Sequence, residues 1–245
     1  MNSRDFLVVN GGVKTSNDYG LYVDTPPMFR MAEQKTTTIN IPGREESLYI
    51  THDEYEDIVL PVKGYSFSND FDISAVYEWL RKAKRISFGS NPQRCFEVKK
   101  LNGIIPNYQG HGKNLITINF VVSPFRYFTN DPNLYRTDKA FTVNNAGNIY
   151  CRPVYELHGN GVISIENDTE KLVILGDKDN SGNYKGVEGS CVIDSERLIV
   201  YKIDGDTKKM LKTEGVIPLL YSGNNHMIIT GNISSVSINR NQRDV

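Results

Sequence analysis

Apolar residues along this chain come mostly in short runs cut by Gly, Asn, Asp, Pro and Ser, the rhythm of strands joined by turns. One stretch departs from it. Ile73, Val76, Tyr77, Leu80 and Ala83 recur at i, i+3, i+4, i+7 and i+10, so the spacing predicts a single helix over 72–85. Asp72 is placed to cap it, because its carboxylate can accept from the unpaired amides of the first turn. Arg81, Lys82, Lys84 and Arg85 crowd the last turn, where the negative end of the helix dipole favours cations. Trp79, the only tryptophan, lies beside the apolar stripe, where it can seal the helix against a sheet.

Before the helix, Phe6–Val9 reads as a strand entering the turn Asn10-Gly11-Gly12, and Leu21–Val23 as a second strand. Lys35–Ile41 is Thr-rich and β-branched, a third strand stopped by Pro42-Gly43. Leu48–Ile50 and Ile58–Leu60 flank a polar loop at 51–57. Val62–Phe67 leads into the helix and Arg85–Phe88 leaves it. Asn102-Gly103, between Cys95–Leu101 and Ile104–Ile105, predicts a tight hairpin turn. Leu115–Val122 alternates cleanly and is expected to stop at Ser123-Pro124.

Polar and turn-forming residues dominate 129–148, which predicts a linker. From Cys151 onward helical periodicity disappears. Strand candidates follow at 154–157, 162–165, 171–175, 190–193, 198–203, 216–220, 227–229 and 233–238, separated by turn clusters such as 158–161 and 222–225. The fold class is therefore mainly β in two domains. Residues 1–130 form a β-rich domain with one helix and a hairpin, 131–148 a linker, and 149–245 an antiparallel sandwich or jelly roll.

Composition narrows the function classes. The 245 residues suffice for one large all-β domain or two ordinary ones. Lys and Arg number 28 against 29 Asp and Glu, so a formal charge of −1 supplies no long-range field to recruit nucleic acid or an anionic membrane. The N-terminal stretch has no apolar core of signal-peptide length, and no run is long enough to span a bilayer, so a soluble protein that first folds in a cytoplasm is expected. Cys95, Cys151 and Cys191 are odd in number and widely spaced, which predicts buried small hydrophobes rather than disulfides or a zinc site.

Motifs that carry chemistry are scarce. Gly110-His111-Gly112-Lys113 precedes a strand rather than opening a helix, so it is no phosphate loop. His52, His111, His158 and His226 lack a nucleophile spaced beside them, and no catalytic or cofactor motif occurs. His52 with Asp53, Glu54, Glu56 and Asp57 could chelate a cation, although clustered loop carboxylates are usually just solvated. Asp177, Asp179, Ser181 and Glu188 repeat the oxygen spacing of a calcium loop, with Gly182 at its turn. Lys185 at the ninth position, Tyr184 at the eighth and the β-like flanks oppose that reading, and a polar turn-rich loop is the simpler one.

Several stretches, in order, resemble siphophage distal tail proteins, the Dit family of phages and prophages of Gram-positive hosts. In the first half they are Phe6–Gly12, Ile41-Pro42-Gly43-Arg44, Tyr77-Glu78-Trp79-Leu80, Cys95-Phe96-Glu97-Val98, and Ile118-Asn119-Phe120 ending in Ser123-Pro124. In the second they are Asn145–Asn148 with Arg152-Pro153, Gly159-Asn160-Gly161, Val192–Glu196 and Ser222–Asn225. Glu46 departs from the glycine that often follows the Pro-Gly-Arg motif.

The resemblance implies a non-enzymatic structural hub without cofactors. Its N-terminal domain, a β-sandwich or split barrel, forms the belt of a hexameric ring, and its C-terminal domain is a galectin-like β-sandwich. The ring would join the tail tube protein to the tail-tip protein at the virion tail tip, after assembly in the host cytoplasm. Receptor-binding or peripheral baseplate proteins are further partners. DNA would pass through the lumen, without sequence-specific binding or membrane insertion. Arg44, Glu45, Glu46, Cys95, Phe96, Asn102 and Gly103 are the ring-interface candidates, with sheet edges such as the Cys95–Ile105 hairpin as donors; the basic residues 81–85 could meet acids of a neighbour such as Glu45 and Glu46, although a helix end of this kind is usually just solvated. The competing reading is a carbohydrate-binding module that adheres to the host surface, with Tyr150, Tyr155, Tyr184, Tyr201 and Tyr221 as ring-stacking candidates. His158-Gly159-Asn160 begins like the galectin signature, but Gly161-Val162 stands where Pro-Arg should follow. A wall hydrolase ranks third.

Overall fold

A computed structural model of the chain describes residues 5–25, 31–43, 45–67, 71–108, 114–204 and 207–245. It separates into two units, with the boundary between Thr129 and Asn130. The architecture is mainly β with several sheets, consistent with a β-sandwich type of fold, and has one α-helix among the described residues.

The first unit runs β1 (Leu7–Val9), a short 3-10 helix (Ser16–Tyr19), β2 (Tyr22–Thr25), β3 (Gln34–Ile39), β4 (Leu48–Tyr55), β5 (Ile58–Ser66), α1 (Ile73–Arg81), β6 (Arg85–Phe88), β7 (Asn91–Tyr108) and β8 (Asn114–Phe128). Its main sheet is antiparallel in the order β1-β6-β7-β8-β5-β2. Alternation drives it: Leu60 and Val62 of β5, with Ile116, Ile118 and Phe120 of β8, point inward and are almost fully buried. Val76 and Leu80 of α1 join this core. Trp79 stacks on Tyr19 with ring centroids 4.8 Å apart.

The second unit comprises β9 (Leu134–Arg136), β10 (Ala140–Asn145), β11 (Val154–Glu166), β12 (Lys171–Ile174), β13 (Val187–Asp194), β14 (Ile199–Asp204), β15 (Thr207–Met210), β16 (Thr213–Gly215), β17 (Gly223–Asn239) and the short β18 (Arg243–Asp244). The order is β10-β17-β11-β13-β14-β15, with β9 on β17, β12 on β11 and β16 on β12. Its own core gathers Tyr155, Leu157, Ile163, Ile165, Ile193, Met227, Val236 and Ile238.

Asp72 caps the helix as expected, accepting from the amides of Ser74 and Ala75 at 2.8 and 3.1 Å. The helix nevertheless ends at Arg81 rather than continuing to 85. Asn10, in the turn after β1, donates to the Lys82 carbonyl and accepts from the amides of Lys84 and Arg85 at 2.7 and 3.0 Å. A residue distant in sequence therefore supplies the partners that a further helical turn would have used. The apolar stripe is also narrower than its spacing implied, with Val76 and Leu80 buried and Tyr77 exposed.

Several expected breaks lie wholly or largely within strands, and residues 223–225 of the expected turn 222–225 open β17. Asn102-Gly103 is not a hairpin turn: β7 runs straight through it, and the ladder with β8 shifts register between Leu101 and Gly103, a bulge that absorbs the glycine. The strand does not stop at Ser123-Pro124, because Pro124 falls in the stretch between the pairs Val98↔Val122 and Phe96↔Arg126, where its missing N–H costs no regular ladder bond. The polar loop at 51–57 belongs largely to β4. Residues 158–161 lie inside β11, where a Cβ on Gly159 would come within 2.4 Å of the Asn232 carbonyl oxygen; glycine lets β11 and β17 approach. The stretch read as a linker, 131–148, carries β9 and β10, both paired with β17. Residues 216–220, conversely, form no strand, and only Leu220 bridges to Cys151.

Candidate assembly surface

β3 and β4 stand apart from the main sheet as a two-stranded ribbon, with pairs Thr36↔Thr51, Thr37↔Ile50, Thr38↔Tyr49 and Ile39↔Leu48. Cross-strand partners share a face, so Ile39, Leu48, Thr37 and Ile50 lie together and Tyr49 lies on the other side. Every described residue of β3 is exposed, and Ile39, Leu48 and Ile50 keep 40–45% of their surface open. Thr37 and His52 meet at 2.8 Å on this face, and Lys35 pairs with Glu54 at 2.8 Å, which holds that carboxyl below its ordinary range. The ribbon is rooted where the Glu56 amide donates to the Glu33 carbonyl and Tyr55 meets Phe125 edge-on at 5.3 Å. Isolated two-stranded ribbons are marginal in water, so this one carries apolar surface that its own chain leaves uncovered.

A second open surface flanks the helix. Ile73, Ser74, Tyr77 and Glu78 of α1 and Ile104 of β7 line a groove of about 440 Å³. Past the helix C-terminus, Asn10, Lys84, Arg85, Glu97, Val98 and Lys99 line a cleft of about 700 Å³. Arg85 pairs there with Glu97, and Lys99 with Asp57. Arg81, Lys82 and Lys84 have no carboxylate partner among the described residues.

The interface candidates read from the sequence are scattered by the fold. Glu45 and Glu46 are exposed in the turn between β3 and β4, and Arg44 lies outside the described residues. Cys95 and Phe96 are buried and paired with β6 on one side and β8 on the other, so this part of β7 is interior to the sheet and offers no edge. Asn102 is exposed beside the bulge at Gly103, beyond the last residue of β7 that pairs with β6. The ribbon face and the groove beside α1 went unnoticed in the sequence. The alternation through Leu48 and Ile50 was their only signal.

Other candidates are spoken for by neighbouring groups. The Asp177 carboxylate pairs with Lys209, Glu188 with Lys202 at 3.4 Å, and Asp179 accepts from the amides of Ser181 and Asn183, both at 2.8 Å. Asp177 and Asp179 are accordingly held below the usual carboxylate range. Among the described residues no three His, Cys, Asp or Glu side chains converge as metal ligands. His158 sits 3.6 Å from Glu156, and His226 meets Thr142 at 3.1 Å; His111 and the glycines beside it lie outside the described residues. Tyr155 and Tyr201 are buried, Tyr184 lies between Lys178 and Lys212, Tyr150 under Arg243, and Tyr221 donates to Glu170. No helix among the described residues is long and apolar enough to cross a membrane.

No family profile and no curated protein sequence matches the chain. Among solved structures its fold is similar to that of SPP1 Dit (gp 19.1), described as a paradigm of hub adsorption apparatus in Gram-positive infecting phages. The TM-score is 0.67 at 14% identity, over 96% of this chain and 97% of that one. At this identity the likeness establishes a shared fold.

Proposed function

We propose that this chain is a distal tail hub protein of a siphophage, a structural component without catalytic activity. The observation that carries this reading is the fold similarity to SPP1 Dit over nearly the whole of both chains, in the same direction as the ordered sequence resemblances. In this reading the first unit closes a hexameric ring between the tail tube and the tail-tip protein. The second unit, a galectin-like sandwich, holds peripheral or receptor-binding proteins. A ring built by head-to-tail contacts needs two different complementary patches on each copy, and the ribbon and the helix-flanking surfaces are both available in the first unit. The net charge of −1 suits a lumen through which DNA passes without being held. The carbohydrate-module reading is weaker, because the tyrosines offered for ring stacking are buried or engaged by neighbours.

Light scattering with negative-stain imaging of the same fraction tests the hub. Six copies of the 27.7 kDa chain weigh about 166 kDa. That mass with ring-shaped particles is the expected result, and a monomer at every concentration would overturn it.

A further inference from the structure

We propose that the β3–β4 ribbon of one copy seats in the groove between α1 and β7 of the next copy. The inference rests on the ring reading and names the two surfaces that close it.

The physical need comes from the ribbon. Among the described residues its strands pair only with each other, and Ile39, Leu48 and Ile50 form an apolar face that keeps 40–45% of its surface open. The groove offers apolar groups in Ile73, Tyr77 and Ile104 beside Ser74 and Glu78, with Tyr77 half exposed. Burying a few such side chains on each partner removes apolar surface from water on both.

Charge fixes the occupant as a second copy and sets its direction. Glu45 and Glu46 at the ribbon tip have no cation partner among the described residues, and Arg81, Lys82 and Lys84 at the end of α1 have no anion partner. Glu46 and Glu45 lie two and three residues before Leu48 in the turn that joins the strands, a reach of at most about 7–11 Å. One helical turn, about 6 Å, separates Tyr77 from Arg81, and Lys82 and Lys84 continue in the same direction. With Leu48 over Tyr77, the acidic tip therefore falls at the basic helix end. Ribbon and groove are different patches on one unit, so the contact is heterologous and can propagate around a ring rather than stop at a dimer. Rim charges of this kind select the register and speed association more than they add affinity.

The test is cysteine cross-linking in the full chain, whose three native thiols are buried. Leu48→Cys and Tyr77→Cys are made as separate variants and treated with a short bis-maleimide, alone and mixed. A covalent dimer in the mixture and in neither variant alone is expected. Ile50→Asp should raise the concentration needed for assembly at least about tenfold while leaving far-ultraviolet circular dichroism unchanged. Dimers of Leu48→Cys alone would mean that ribbons pair with each other, and would overturn the proposal. Ring mass without the mixed cross-link, or Ile50→Asp assembling normally, would overturn the seat while leaving the ring intact. A monomer at every concentration would overturn both.

Discussion

At the scale of single residues, burial decides what the reactive groups can do. Desolvation pushes the thiols of Cys151 and Cys191 up to about 12, and moves Cys95 in the same direction. An unfolded thiol ionises near about 8.5. Between these values the folded state keeps protons that the unfolded state has lost, so the contribution is full below about pH 8.5 and declines as pH rises toward about 12. Urea midpoints should therefore fall steadily above about pH 9, and less steeply in a Cys151→Ala, Cys191→Ala double variant. Iodoacetamide at about pH 8 should leave the native thiols unlabelled and modify all three in denaturant, and mass spectrometry reads both states. Their number and spacing led to the expectation of buried small hydrophobes, and all three are buried. Spacing could not anticipate that Asp177 and Asp179 would be claimed by Lys209 and by turn amides, because those partnerships depend on how the loop folds back.

Elements show where local pattern suffices and where it fails. The Asp72 cap was legible because its interactions span three residues. The helix end was not, because Asn10, more than seventy positions away, sets it. The ribbon illustrates a related failure. Its Thr-rich first strand was legible from β-branching, whereas its separation from the main sheet, which leaves it uncovered, depends on the pairing of β5 with β8. Strands held only by each other open easily, so amides of β3 and β4 should exchange with solvent faster than those of β7 and β8 in the dilute monomer. Assembly should slow the exchange of β3 and β4 selectively. Hydrogen–deuterium exchange mass spectrometry across a concentration series checks this; equal protection of the ribbon and β8 in the monomer would contradict it.

For the whole molecule, two separate cores make two reporters separable. Trp79, stacked on Tyr19, reads the first unit alone. Leu80→Ala should destabilise that core by about 2–5 kcal/mol and lower the denaturation midpoint seen in tryptophan fluorescence. Leu157→Ala, in the other core, should leave that midpoint nearly unchanged while lowering a circular dichroism transition. Parallel shifts in both signals would mean that the units unfold as one. The sequence by itself determined the β-rich class, the existence and capped start of one helix and the alternation that buries β8, all consequences of spacing over a few residues. Only the tertiary structure decided which Asn-Gly and Gly-rich stretches turn and which run on as strand. A bulge, a buried proline or a close-approaching glycine is settled by what lies across the sheet. The same holds for surface: alternation marks Ile39, Leu48 and Ile50 as one face, but only the fold, in which β3 and β4 pair with no other described strand, leaves that face partly open to a partner.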